Sequence, residues 1–150
     1  MRERVESNNQ QPTINQQPTT NKFMTTTLKK IEYPTKTVKR AARALSCSPF
    51  KLKLFVAMQN SSIPLPTIAD ERGLENNYTK YAIAESRAES ALVWLINVGL
   101  LRREVDGQGL TDSFRLTPLG RQIIARWKDG EIPQPTLKDR VLNWLNRWLR

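Results

Sequence analysis

The chain of 150 residues is long enough for one ordinary domain and little more. Its formal net charge of +10 favours polyanionic partners, meaning nucleic acid or an anionic membrane face. Cys47 is the sole cysteine and histidine is absent, which excludes an intrachain disulfide, a Cys/His zinc finger and histidine-based catalysis.

No run of about 18 apolar residues is present, so an ordinary transmembrane helix is not expected. Met1–Gln10 is polar and carries no apolar signal core, which predicts a cytoplasmic protein. Residues 1–35 are dominated by Asn, Gln, Thr and Pro and hold too few large side chains to offset the entropy of ordering. They read as a disordered tail, with Met24 an alternative start to Met1. The segment turns basic at Lys29, Lys30 and Lys36.

The folding unit is expected over 36–130. Its first helix would span Thr37–Leu45, with Lys39, Arg40 and Arg43 outward and Val38, Ala41, Ala42 and Leu45 available for packing. Cys47 follows and reads as a small buried hydrophobe rather than a reactive thiol. Ser48 as N-cap and Pro49 in the first turn then predict a second helix, Phe50–Gln59, buried on most sides. From Lys39 to Lys53 there are five basic residues and no acid, the densest basic run in the chain.

Ile63–Pro66 is an extended approach, and Thr67–Arg72 reads as a short helix closed by Gly73, with Leu74 packing back after it. Asp70 and Glu71 suit a helix N-terminus through the helix dipole. Between Asn77 and Val98 two arrangements remain open. One is a single long helix; the other is an extra turn over Tyr78–Ala84 and then a helix capped by Ser86, whose spacing to Glu89 forms a capping box. Either way Ala88, Ala91, Leu92, Leu95, Ile96 and Val98 recur at three and four and define a core face.

Gly99 ends that helix. Two strands, Leu100–Val105 and Ser113–Thr117, are expected to pair across a glycine-punctuated tip that opens at Asp106-Gly107. Thr117 and Pro118 then cap and start a basic helix over Leu119–Trp127. Residues 131–135 form a proline-stiffened linker, and 136–150 form an amphipathic helix. Leu137, Val141, Leu142, Trp144, Leu145, Trp148 and Leu149 gather on one side of it, with Lys138 inside the apolar arc.

The order of short helix, helix, strand, loop, strand and helix over residues 49–128 resembles the winged helix-turn-helix superfamily of bacterial transcription regulators. Ile68–Leu74 resembles the first arm and turn of that family. The Gly99-Leu100 pair resembles its passage into the first wing strand, and Leu116–Arg121 a string found just after its wing. The implied fold is mainly α with a small β-hairpin wing. The implied function is a sequence-specific, dimeric DNA-binding transcriptional regulator. Arg87 would reach base edges in the two-helix arrangement, and Asn76, Asn77, Tyr78, Thr79 and Lys80 in the long-helix one. Arg102, Arg103 and Arg115, with Lys39, Arg40 and Arg43, would contact phosphate.

Asp106 and Asp112 sit at the wing tip without a lysine or arginine, which would repel phosphate. This supports an alternative, a non-enzymatic adaptor or assembly protein that binds a protein partner through the same fold. No phosphate-binding glycine loop is present and the carboxylates are scattered, so no enzyme activity, cofactor or metal is expected. The last helix has three readings, in order: pairing across a two-fold axis through Leu137, Val141, Trp144, Leu145 and Trp148, packing on its own domain, or lying on an anionic membrane.

Overall fold

The computed structural model describes residues 30–127 and 130–149, and all described elements belong to the unit Glu32–Arg150. Most of the segment expected to be disordered, residues 1–29, lies outside the described residues. Among the described residues there are seven helices and a small three-stranded antiparallel sheet.

Helix α1 (Thr35–Ser46) follows Pro34, whose fixed backbone sets the entry. Its Ala41, Ala44 and Leu45 are buried. Helix α2 is shorter than expected, Leu52–Ala57. Ser48 does not cap it: the Ser48 hydroxyl donates to the Leu45 carbonyl at 2.7 Å. Phe50 forms an antiparallel bridge with Thr79, with Lys51 N–H donating to the Tyr78 carbonyl and Lys80 N–H to that of Pro49. Pairing with a strand distant in sequence therefore holds the Pro49–Lys51 backbone extended.

Strand β1 (Ile63–Pro64) leads into α3 (Leu65–Ile68) and α4 (Asp70–Glu75), which are separated at Ala69. Asp70 has φ 52°, and its N–H donates to the Ile83 carbonyl at 2.7 Å. Gly73 does not close the helix but lies inside α4, buried against α3, because a Cβ there would meet the Ile68 carbonyl oxygen at 2.0 Å. The chain turns instead at Asn76-Asn77, where Asn77 has φ 60°. Leu74 is exposed rather than packed back.

Residues 78–84 are neither an extra helical turn nor part of a long helix. They form a non-helical connection that bends at Lys80-Tyr81 and leads to α5 (Glu85–Asn97), which begins after Ala84, so Ser86 lies inside the helix rather than at its cap. Ala88, Leu92 and Leu95 are buried on the expected face. Gly99, with φ 86°, ends the turn that follows.

Strands β2 (Leu101–Asp106) and β3 (Gly109–Leu116) form a longer hairpin than expected, because Gly109 and Leu110 also pair. Their register sets Leu101 opposite Leu116 and Arg103 opposite Phe114, with an irregularity between Arg103 and Val105. β1 adds a third strand on the other side of β3, pairing Ile63 with Phe114, so the sheet order is β1-β3-β2. Pro64 is tolerated because β1 is an edge strand. In general terms this is a winged-helix-like topology.

Helix α6 (Pro118–Ala125) starts as expected: the Thr117 hydroxyl accepts from Gly120 N–H at 3.1 Å and Pro118 fills the first turn. The core joins Phe50, Leu54, Phe55 and Met58 to Ile68, Leu92, Leu95, Leu100, Phe114 and Ile123, all below 2% exposed. Ile132 of the following linker packs against it. Helix α7 (Leu137–Trp148) is held by a reciprocal cap: Thr136 Oγ1 accepts from Asp139 N–H, and Asp139 Oδ2 from Thr136 N–H.

Candidate functional site

The cations expected to meet phosphate are largely paired within the domain. Arg103 of β2 donates from Nη2 to Glu89 Oε1 of α5 at 2.8 Å and from Nη1 to Asp112 Oδ1 at 3.3 Å. Its guanidinium also lies 5.0 Å from the Phe114 ring centroid. Arg115 Nη1 is 3.4 Å from Glu104 Oε2, an ion contact without hydrogen-bond alignment. Arg102, opposite Arg115 in the register, is exposed.

Helix α5 turns Glu85, Ser86, Arg87, Ser90, Val93 and Asn97 to solvent. Arg87 is the one basic residue of that helix, beside two carboxylates, Glu85 and Glu89. At the hairpin tip Val105 and Leu110 pair in register and are 61% and 74% exposed, between Asp106 and Asp112.

Asn76 to Lys80, the alternative base-reading set, form a structural turn. Asn76 Nδ2 donates to the Thr67 carbonyl at 3.1 Å, and Asn77 Oδ1 accepts from Lys51 Nζ. Tyr78 is half-buried against the core, and Lys80 Nζ donates to the Ser48 carbonyl at 3.1 Å. Thr79 is fully buried, which removes it from any contact surface, and its hydroxyl has no hydrogen-bond partner. Burying an unpaired hydroxyl costs about 1–3 kcal/mol, so Thr79→Val, which keeps the shape, is expected to stabilise the domain by about 1 kcal/mol. Urea denaturation checks this; a less stable variant would mean the hydroxyl is satisfied.

On α1, Arg40 Nη2 donates to the Asn97 carbonyl at 3.1 Å and Arg43 Nε pairs with Asp139 Oδ1 at 3.2 Å. Lys36 and Lys39 are exposed. Lys36, Lys39, Arg40 and Arg43 line a groove of about 600 Å³ whose far side is Leu142 and Asn146 of α7. The basic run of α1 therefore lies beside the last helix.

Helix α7 docks by its polar side. Besides Asp139, Asn143 Oδ1 accepts from Trp94 Nε1 at 3.0 Å, and Arg147 Nη2 lies 3.5 Å from the Ser90 carbonyl. The Thr136 hydrogen bonds, and then Arg43, hold the Asp139 carboxyl below its ordinary value. The stabilisation this carries is present above the ordinary carboxylate pKa and is lost as pH falls through the lowered one. Half-burial and then the Asp139 charge push the Cys47 thiol up, consistent with an unreactive side chain.

Apart from Leu142, half-buried in the groove beside α1, the apolar residues of α7 point outward: Trp144 is 56% and Trp148 73% exposed, and Leu137, Val141, Leu145 and the C-cap residue Leu149 are exposed with them. The two indoles lie 5.8 Å apart. Lys138, Arg140 and Arg147 are exposed on the same helix. None of these three, nor Tyr81 (59% exposed, sharing a cleft with Arg140 and Lys80), was among the site residues expected from the sequence. For Lys138, Arg140 and Arg147, spacing around an apolar helical arc was the available signal; Tyr81 lies outside any helix and carried none. Among the described residues no three His, Cys, Asp or Glu side chains gather where they could share an ion.

Comparison with curated proteins and with solved structures gave no match. One family model does match, described as Npun_F0494-like, and it spans residues 31–147, taking in every described helix and strand up to the last turn of α7. The chain belongs to the Npun_F0494-like family.

Proposed function

We propose that the protein is a non-enzymatic docking module that uses its winged-helix-like frame to hold a protein partner against α5 and the hairpin. The observation that carries this reading is the hairpin tip. A DNA-binding wing places lysine or arginine along phosphate, whereas this tip offers an exposed Val105–Leu110 pair flanked by Asp106 and Asp112. Behind it, Arg103 is occupied by Glu89 and Asp112, and Arg115 by Glu104. An apolar centre with a charged rim is the chemistry of a protein contact.

A second reading, the dimeric DNA-binding regulator implied by the winged-helix resemblance, draws support from the exposed Arg87, Arg102 and Lys39 and from the net charge of +10. Titrating random-sequence duplex DNA with the full chain across a salt series separates the two. The docking reading expects only weak binding, roughly in the non-specific range of 10⁻⁴–10⁻⁶ M. Submicromolar binding with a steep salt slope would overturn it in favour of the regulator. A pull-down with the wild type and Leu110→Asp is the positive test, and the docking reading expects a protein retained by the first and lost by the second.

A further inference from the structure

We infer that the outward face of α7 docks on an anionic lipid bilayer surface, with the helix lying in the plane of the headgroups. This goes beyond the docking function assigned to α5 and the hairpin and uses none of their residues. An amphipathic helix on a domain normally turns its apolar side inward, but α7 is tied down by Asp139 to Arg43 and by Asn143 to Trp94. Its Leu137, Val141, Trp144, Leu145, Trp148 and Leu149 are left facing solvent.

The fully exposed charges of α7 are all basic. The one acid of α7, Asp139, is turned inward to Arg43, and the exposed charges of the helix are Lys138, Arg140 and Arg147. Across the groove beside Leu142 and Asn146 stand Lys36 and Lys39 of α1, and α1 contains no acid. Arg140 lines a second, separate cleft with Lys80 and the exposed Tyr81. An apolar face with two tryptophans and a cationic border matches the headgroup–acyl boundary: indoles favour that depth, and long basic side chains reach outward to phosphate. The run of basic residues read from the sequence as a DNA patch thus becomes part of a border around α7.

A second copy of the chain fits this face less well. Pairing two such helices would bring cationic borders together, and like charges across an interface repel. Insertion across the bilayer does not apply, because no described helix is long and apolar enough to cross a membrane.

The test uses the full chain with vesicles of phosphatidylcholine alone and of phosphatidylcholine with phosphatidylglycerol in equal parts. Co-sedimentation and the tryptophan emission maximum are the readouts. The expected result is binding to the anionic vesicles only, with a blue shift. The double variant Trp144→Ser/Trp148→Ser should weaken it by about tenfold or more. Lys138→Glu/Arg140→Glu should abolish the preference for phosphatidylglycerol, while both variants keep the wild-type circular dichroism and melting. These substitutions lie on exposed side chains, so folding should be retained, and Leu110→Asp should bind vesicles as the wild type does.

Failure of the wild type to bind would overturn the inference. So would binding that survives the tryptophan variant, which would trace it to net charge alone, or equal binding to neutral vesicles. A dimer in sedimentation equilibrium that Trp144→Ser/Trp148→Ser converts to monomer would give the face to a second copy instead.

Discussion

Gly73→Ala is expected to destabilise the domain by about 3 kcal/mol or more, even though it replaces glycine with a better helix former. In a helix interior that exchange should gain about 0.5–1 kcal/mol. Here the new Cβ would sit 2.0 Å from the Ile68 carbonyl oxygen, 2.7 Å from its carbon and 3.2 Å from Thr79 Cγ2. Two of those atoms are backbone, so relief requires α3 and α4 to part. They cannot part freely: the Gly73 carbonyl accepts from Tyr78 N–H at 2.8 Å and Thr79 N–H at 3.2 Å, and Asp70 N–H is bound to the Ile83 carbonyl. Overpacking against fixed backbone falls in the severe class of single substitutions. The melting temperature should fall on the order of 10 °C. Glu71→Ala, on the exposed side of the same helix, serves as the control and should stay within about 0.5 kcal/mol. A Gly73→Ala protein as stable as the wild type would mean that α3 and α4 are not in close contact.

The same residues show why some elements could be read from the chain and others could not. The core face of α5, the Asp106-Gly107 turn and the Thr117–Pro118 helix start are written in neighbouring residues, through periodicity, a turn pair and a cap. The α5 face and the helix start are in the structure, and the turn falls where expected, between paired Asp106 and Gly109, although it is Gly109 and not Gly107 that takes the positive φ, 121°. Ser48-Pro49 carries an equally good local signal for a helix start, yet Phe50 pairs with Thr79, nearly thirty residues on. Ser86–Glu89 has capping-box spacing but sits two residues too late, because the non-helical segment before it delivers the chain into the helix at Glu85, with Ala84 at the cap position. Gly73 reads as a stop signal, and only the close approach of α3 gives it its actual role.

The candidate surfaces divide along the same line. That α7 is amphipathic follows from its spacing alone. Which side it turns inward depends on Arg43, Trp94 and Ser90, none of them near it in the sequence. An arginine in a sequence carries its charge but not its partner. Arg103 and Arg115 have the right type for phosphate, and the fold places Glu89, Asp112 and Glu104 beside them.

Phe114→Ala should have an effect at least as large as Gly73→Ala, about 3–5 kcal/mol, and for a reason that joins the core to the hairpin surface. Phe114 is fully buried and stands opposite Ile63 on one side and Arg103 on the other, so its ring occupies the middle of the sheet. Removing it leaves a cavity between three strands and takes away the surface on which the Arg103 guanidinium rests. Phe114→Leu keeps most of the volume but not the π face, and should cost only about 1–2 kcal/mol, the sum of a modest repacking term and the lost cation–π contact. Urea denaturation of the two variants separates these contributions, and a Phe114→Ala protein within about 1 kcal/mol of the wild type would sink the argument. The position of Arg103 then depends on a buried ring as much as on the two carboxylates. Its charge is held inward against α5 by the core itself, which leaves Arg102 as the exposed arginine of the hairpin and Val105 and Leu110 as the exposed pair at its tip.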